Sequence, residues 1–210
     1  MRITFRRFPG HTTAYSIIER DDGVVYRLPG SAPGAKLPHD LRHLVVEREL
    51  RIADGVWGAI AAGVVYTSME HVRGRRPPHA AERSGELKRV QRQPVLRAGL
   101  LADLVEAVAM LDSPSDDDIQ RLTRATLSTL PVTEPGADAA AAAAPPPAVL
   151  ARAARALQVE AARWARLRVG EELVYSWPAA PAATTRSTLR AVPRPREAGD
   201  PRRTGKRRPQ

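Results

Sequence analysis

Cysteine is missing from all 210 residues, which removes disulfides, thiolate zinc sites and cysteine nucleophiles at once. Any metal would have to be held by histidine and carboxylate. Aromatic residues are scarce, at 4%, and alanine-rich stretches inflate a hydrophobic share of 43%, so the predicted core is modest. The longest apolar run, residues 56–66, is interrupted by Gly58 and Gly63 and falls well short of the ~20 residues that cross a bilayer. The first residues, Met1-Arg2-Ile3-Thr4-Phe5-Arg6-Arg7, carry the charge of a signal peptide, but Pro9, Gly10 and His11 follow where its apolar stretch would have to be. These absences predict a cytoplasmic chain with no membrane partner. There is also no Walker-type glycine loop, no Gly-x-Ser-x-Gly elbow and no Gly-x-Gly-x-x-Gly after a strand. The usual marks of nucleotide binding and serine hydrolysis are therefore lacking, which narrows an enzyme reading to metal or histidine chemistry.

What is present in excess is positive charge, net +10 at neutral pH. Residues 181–210 hold nine basic side chains, from Arg186 to Arg208, against Glu197 and Asp200, a surplus of seven that leaves +3 for residues 1–180. With only Leu189 and Val192 as large aliphatics, this tail cannot bury enough to fold and is expected to be disordered. It offers weak, sequence-independent affinity for an anionic partner such as nucleic acid, although it has no aromatics on which bases could stack. A purely solubilising role fits it equally well.

Upstream, the pattern alternates. Ile3, Phe5 and Phe8, then Tyr15, Ile17 and Ile18, then Val24, Val25, Tyr26 and Leu28 read as an antiparallel meander over residues 2–28, with Asp21-Asp22-Gly23 as a tight turn. Residues 29–36 form a loop, and Leu37-Pro38 opens a helix to about residue 52, since proline suits the first helical position. Asp54-Gly55 separates it from a second helix over 56–66. Residues 70–94 are polar and broken by Gly74, Pro77-Pro78, Gly85 and Pro94, which predicts a long exposed loop. Helices follow over 95–111 and, behind Ser113-Pro114 and Asp116-Asp117-Asp118, to Leu130. A Pro/Ala linker at 131–147, a helix over 149–167 and a last strand from Glu172 to Trp177 complete the pass. The fold class expected is α+β. A small antiparallel sheet, the N-terminal meander plus a C-terminal strand, packs with several helices in one domain, 1–178, followed by the disordered basic tail, 179–210.

One stretch could carry chemistry. His39-Asp40-Leu41-Arg42-His43-Leu44-Val45-Val46-Glu47 puts two imidazoles one helical turn apart and a carboxylate one turn further. On a helical wheel Leu37, Leu41, Leu44, Val45 and Leu50 gather on one side, while His39, Asp40, His43 and Glu47 fall on the other, the side expected to face away from the core. A histidine pair at this spacing can clamp a divalent metal such as zinc. Glu47 lies about 12 Å along the axis from His39, so a third ligand must come from elsewhere. Glu70 and His71 are the nearest candidates, with His79 the weaker one. The helix start disfavours imidazolium at His39 and keeps it in the form that binds metal. Asp40 and Glu47 are the candidate catalytic acid/base groups, and His39, His43 and His71 the candidate metal ligands. The plain alternative is that these residues simply make a polar helix face.

Leu-Pro-His-Asp-Leu-x-His-x-Val-Val-Glu after a short strand set, followed by a glycine-containing helix, resembles an uncharacterised family of small bacterial proteins with no assigned activity. The likeness covers residues 1 to about 66, with Trp164, Gly170 and Trp177-Pro178 a fainter match. It marks Pro38, His39, Asp40, His43 and Glu47 as pattern-bearing and implies no substrate. His-Asp-x-x-His also resembles the zinc motif of a ubiquinone-biosynthesis accessory family, but where that motif needs a further glutamate this chain has Gly55, with Asp54 beside it. That function is not carried over. Two expectations stay open: a non-catalytic binding or accessory protein, or a metal-dependent enzyme or metal sensor built on His39 and His43.

Overall fold

The computed structural model describes residues 1–7, 13–33, 37–130 and 144–177. Phe8, residues 34–36 of the expected loop, most of the Pro/Ala linker, Pro178 and the basic tail 179–210 lie outside the described residues. The chain runs β1 (Arg2–Arg6), β2 (Thr13–Glu19), β3 (Val25–Pro33), α1 (His39–Glu49), α2 (Val56–Ala62), β4 (Glu70–Arg73), α3 (Ala80–Val90), α4 (Arg92–Ala109), α5 (Asp116–Leu127), α6 (Pro147–Arg166) and β5 (Glu172–Ser176).

The five strands form one antiparallel sheet in the order β4-β3-β2-β1-β5, so the fold is α+β, with the C-terminal strand added beside the N-terminal meander. Alternation sets its two faces. Tyr175, Ile3, Ile18 and Tyr26 stand in register across four strands and are buried under the helices. Phe5, one pleat along, meets Trp57 of α2 and Tyr175 of β5 edge-on, with ring centroids 6.0 and 5.9 Å apart. The opposite face carries a cross-strand charge ladder, in which Glu19 takes Arg2 at 3.1 Å and Arg73 at 3.2 Å, Arg27 pairs with Glu70, and Arg6 with Glu172. The Asp21-Asp22-Gly23 turn forms as expected, with Gly23 at φ +78° and Asp22 accepting from the Val24 amide.

Four expectations are corrected. β3 continues to Pro33 through the stretch read as loop, because residues 29–33 still find partners on β2. α2 stops at Ala62 rather than Tyr66, because Gly63 turns out of the helix at φ +123°. The polar stretch 70–94 is not one loop: it holds β4, α3 and the start of α4. Only Ser84 of α3 is buried, so the helix shows no apolar stripe to read. Its anchor is a hydroxyl, which accepts from the Val65 amide at 2.9 Å. α4 begins at Arg92, with Pro94 inside its first turn, where the missing proline N–H costs no helical hydrogen bond.

α5 starts as its sequence asks. Ser115 and Asp118 form a reciprocal capping box, and Asp116, Asp117 and Asp118 occupy the positive end of the helix. α4 packs against α1, α5 and α6, and α1 lies between α4, α6 and the sheet. Among the described residues, no helix is long and apolar enough to cross a membrane.

Candidate functional site in helix α1

The His/acid stripe of α1 does not face solvent. Asp40, His43 and Glu47 are all buried, Glu47 completely, and only His39 is exposed. Leu41, Leu44, Val45 and Val46 are buried too. The middle of α1 is therefore enclosed on all sides, by the sheet, α2, α4 and α6. A wheel that sorts residues into an inner and an outer face fails for such a helix.

Each buried polar group needs a partner, and the partners explain the site. Glu47 reaches across to the start of α2, where Oε1 accepts the Val56 amide at 2.9 Å and Oε2 accepts the Trp57 amide at 3.0 Å. α2 has Gly55 at its N-cap, with no side-chain oxygen of its own to satisfy those amides. The carboxylate of Glu47 is thus a remote cap, placed at the positive end of the α2 dipole. Trp57, clamped at its backbone by Glu47, donates its indole N–H to the Asp40 carbonyl at 3.0 Å. These contacts lock α1 and α2 into one corner.

Asp40 is held from the sheet. Ser16 of β2 donates to Oδ2 at 2.8 Å, while Oδ1 is buried without a hydrogen-bond partner. Burial pushes the carboxyl above the usual aspartate range, against the Ser16 hydrogen bond and the neighbouring His43, which favour the charged form. The His39 and His43 rings are in contact, with centroids 4.5 Å apart and planes tilted by 52°. His39 is held below the ordinary imidazole value by partial burial first, then by His43 and Arg42, against Asp103 and Glu106. His43 points Nδ1 toward Glu47 Oε1 at 3.6 Å, beyond hydrogen-bond range, and that nitrogen has no hydrogen-bond partner. Gly99 of α4 lies over its ring, where an added Cβ would sit 4.0 Å from Cε1. Arg42 ties α1 to α4 through Asp103 at 3.0 Å and Glu106.

The structure brings His39, Asp40, His43 and Glu47 together and leaves His71 apart. His71 sits on β4, the far edge strand of the sheet. Its Nε2 lies 2.8 Å from the Gly74 carbonyl and its ring meets Tyr26 edge-on, so it closes the β4 turn and adds no third ligand to the α1 pair. Glu70 is paired with Arg27, and His79 caps α3 in the left-handed region at φ 54°. Among the described residues, no group of three or more histidine and carboxylate side chains is placed to hold a metal ion.

Sequence reasoning missed Ser16, Trp57 and the pairing of Arg42 with Asp103 and Glu106. One signal was available for Glu47: a helix that opens on Gly55 with no capping residue requires an acceptor from elsewhere, and Glu47 is one of three acids on the adjoining helix, with Asp40 and Glu49. None of the protein-family models, curated proteins or solved structures compared with the chain matches it.

Proposed function

We propose that the chain is a small non-catalytic binding or accessory protein, in which the polar stripe of α1 holds the scaffold together. The observation that supports this is the commitment of Glu47, whose two carboxylate oxygens both accept backbone amides of α2. A fully buried carboxylate anchored in this way is directed at the start of α2 and not at solvent. Asp40, tied to Ser16 and shielded from solvent, is likewise turned into the fold. What the described residues offer outward is the charge ladder on the open sheet face, and the basic tail would add weak affinity for nucleic acid.

A second reading, a metal-dependent enzyme or metal sensor, draws support from the adjacent His39 and His43 rings and from the unpartnered Nδ1 of His43. One experiment separates the two. Elemental mass spectrometry on untagged protein is expected to find no stoichiometric metal, either in the native chain or in a His39→Ala/His43→Ala variant. Near-stoichiometric zinc, iron or manganese that disappears in the variant would replace the first reading with the second. Filter binding of nucleic acid by the full chain and by a chain cut after residue 180 tests the tail, which requires the affinity to fall on truncation.

A further inference from the structure

One concavity stands apart from α1. It lies between the β2–β3 turn, the end of α2 and the inner side of α3, and encloses about 270 Å3. Arg20, Asp22 and Tyr26 come from the sheet side, Gly63 from the end of α2, and Arg83 and Leu87 from α3. We propose that this cavity binds a small organic oxyanion, with Arg20 and Arg83 holding the charged group and the Leu87 side holding the apolar remainder.

Charge balance carries the argument. Asp22 is the acid in the cavity wall, and both of its oxygens are committed: Oδ2 takes Arg20 Nη2 at 2.7 Å and Oδ1 takes the Val24 amide at 3.1 Å. It therefore orients the Arg20 guanidinium and makes no ion pair with Arg83. Arg83 makes no ion pair among the described residues, and neither do Arg75 and Arg76, which are exposed on the segment leading into the cavity at Pro77. Two arginines and a single carboxylate already paired with one of them line a site that attracts anions, and the planar donor fork of arginine suits carboxylate and phosphate alike.

Shape agrees with charge. Gly63 lies where a Cβ would come 3.4 Å from Leu87 Cδ1 and 3.7 Å from Arg20 Nη2, so the apolar wall and the guanidinium border the same small concavity. The volume is roughly that of several waters, which restricts the occupant to a compact molecule. Carboxylate and phosphate share the recognition chemistry, so the test uses one probe of each kind with the same apolar body.

Titration of isotope-labelled full-length protein with phenyl phosphate and with benzoate, followed by amide NMR, reads the site directly. Saturable shifts centred on Gly63, Leu87 and the Arg83 side chain are expected for at least one probe, and the tighter of the two identifies the oxyanion. Arg83→Ala, a change at an exposed position, should weaken that binding about tenfold, while Arg168→Ala on the far surface should leave it unchanged. Shifts that never saturate, shifts spread over all exposed arginines, or undiminished binding by Arg83→Ala would each overturn the proposal.

Discussion

Glu47 and Gly55 are fitted to one another: a Cβ placed on Gly55 would fall 2.5 Å from the Glu47 carboxyl carbon and within 2.8 Å of both oxygens. The backbone conformation of Gly55, at φ −75°, does not call for glycine. The demand comes from the space the carboxylate occupies while it caps α2.

Gly55→Ala should therefore behave like the loss of a buried charge pair rather than like an ordinary surface glycine change. The methyl group displaces the Glu47 carboxylate from the Val56 and Trp57 amides, stranding a buried carboxylate, the buried Trp57 donor and the part-buried Val56 donor, at a cost on the order of 3 kcal/mol. Urea unfolding checks this. Glu47→Ala should cost a similar amount, and the double variant little more than either alone, because both single changes break one arrangement.

Asp40 makes stability depend on pH in a defined direction. Its folded-state value is raised above the ordinary 3.8 by burial, so between those two values the native state holds a proton that the unfolded chain has released. Stability is then lost as pH rises through that window and stays at its lower level above it. Asp40→Asn keeps an acceptor for Ser16 and removes the titration. The stability of the native protein relative to Asp40→Asn should fall as the pH rises above the ordinary aspartate value of 3.8 and then level off, and a difference independent of pH would exclude the effect.

The elements that could be read in advance were those whose burial is one-sided. β1 and β2 alternate because one sheet face is covered and the other is wet, and β5 was legible as a strand returning to the sheet from Glu172 to Trp177 for the same reason. α3 was illegible because it buries a serine in place of an apolar stripe. α1 was legible as a helix but not in its orientation, since burial on every side erases the periodicity that assigns faces. His71, near the α1 histidines in candidate chemistry, is placed by β4 on the outer edge of the sheet. Sequence separation gave no hint of that register, which follows from the pairing of Tyr26 with His71.

His39 titrates in the opposite sense to Asp40. Its folded-state value lies below the ordinary 6.5, with burial the main cause and the neighbouring His43 and Arg42 adding to it. Below about pH 6.5 the unfolded chain takes up a proton that the folded chain resists, so the stabilisation present at neutral pH is lost as the solution is acidified through that window. His39→Gln should abolish this acid-side loss and leave stability above pH 7 nearly unchanged. NMR titration of the imidazole signals gives the direct check: a His39 midpoint at or above 6.5 would contradict the burial argument.

Ser84 is the remaining test, and it concerns how a nearly solvent-bathed helix stays attached. Its hydroxyl accepts the Val65 amide at 2.9 Å and lies 3.4 Å from the Val65 carbonyl, closing both polar groups of one residue just past the end of α2. The support around it is thin: Leu87 packs near Gly63, and Lys88 lies 5.8 Å from the Tyr66 ring centroid. Ser84→Ala leaves the part-buried Val65 amide without its acceptor, at a cost of about 1–2 kcal/mol. Because α3 buries no other residue, that cost should fall on the helix itself, as local opening. Hydrogen exchange should speed up roughly tenfold across residues 80–90 for each 1.4 kcal/mol lost while β1, β2 and α4 keep their protection. Acceleration spread evenly over the whole molecule would show instead that α3 is cooperative with the core.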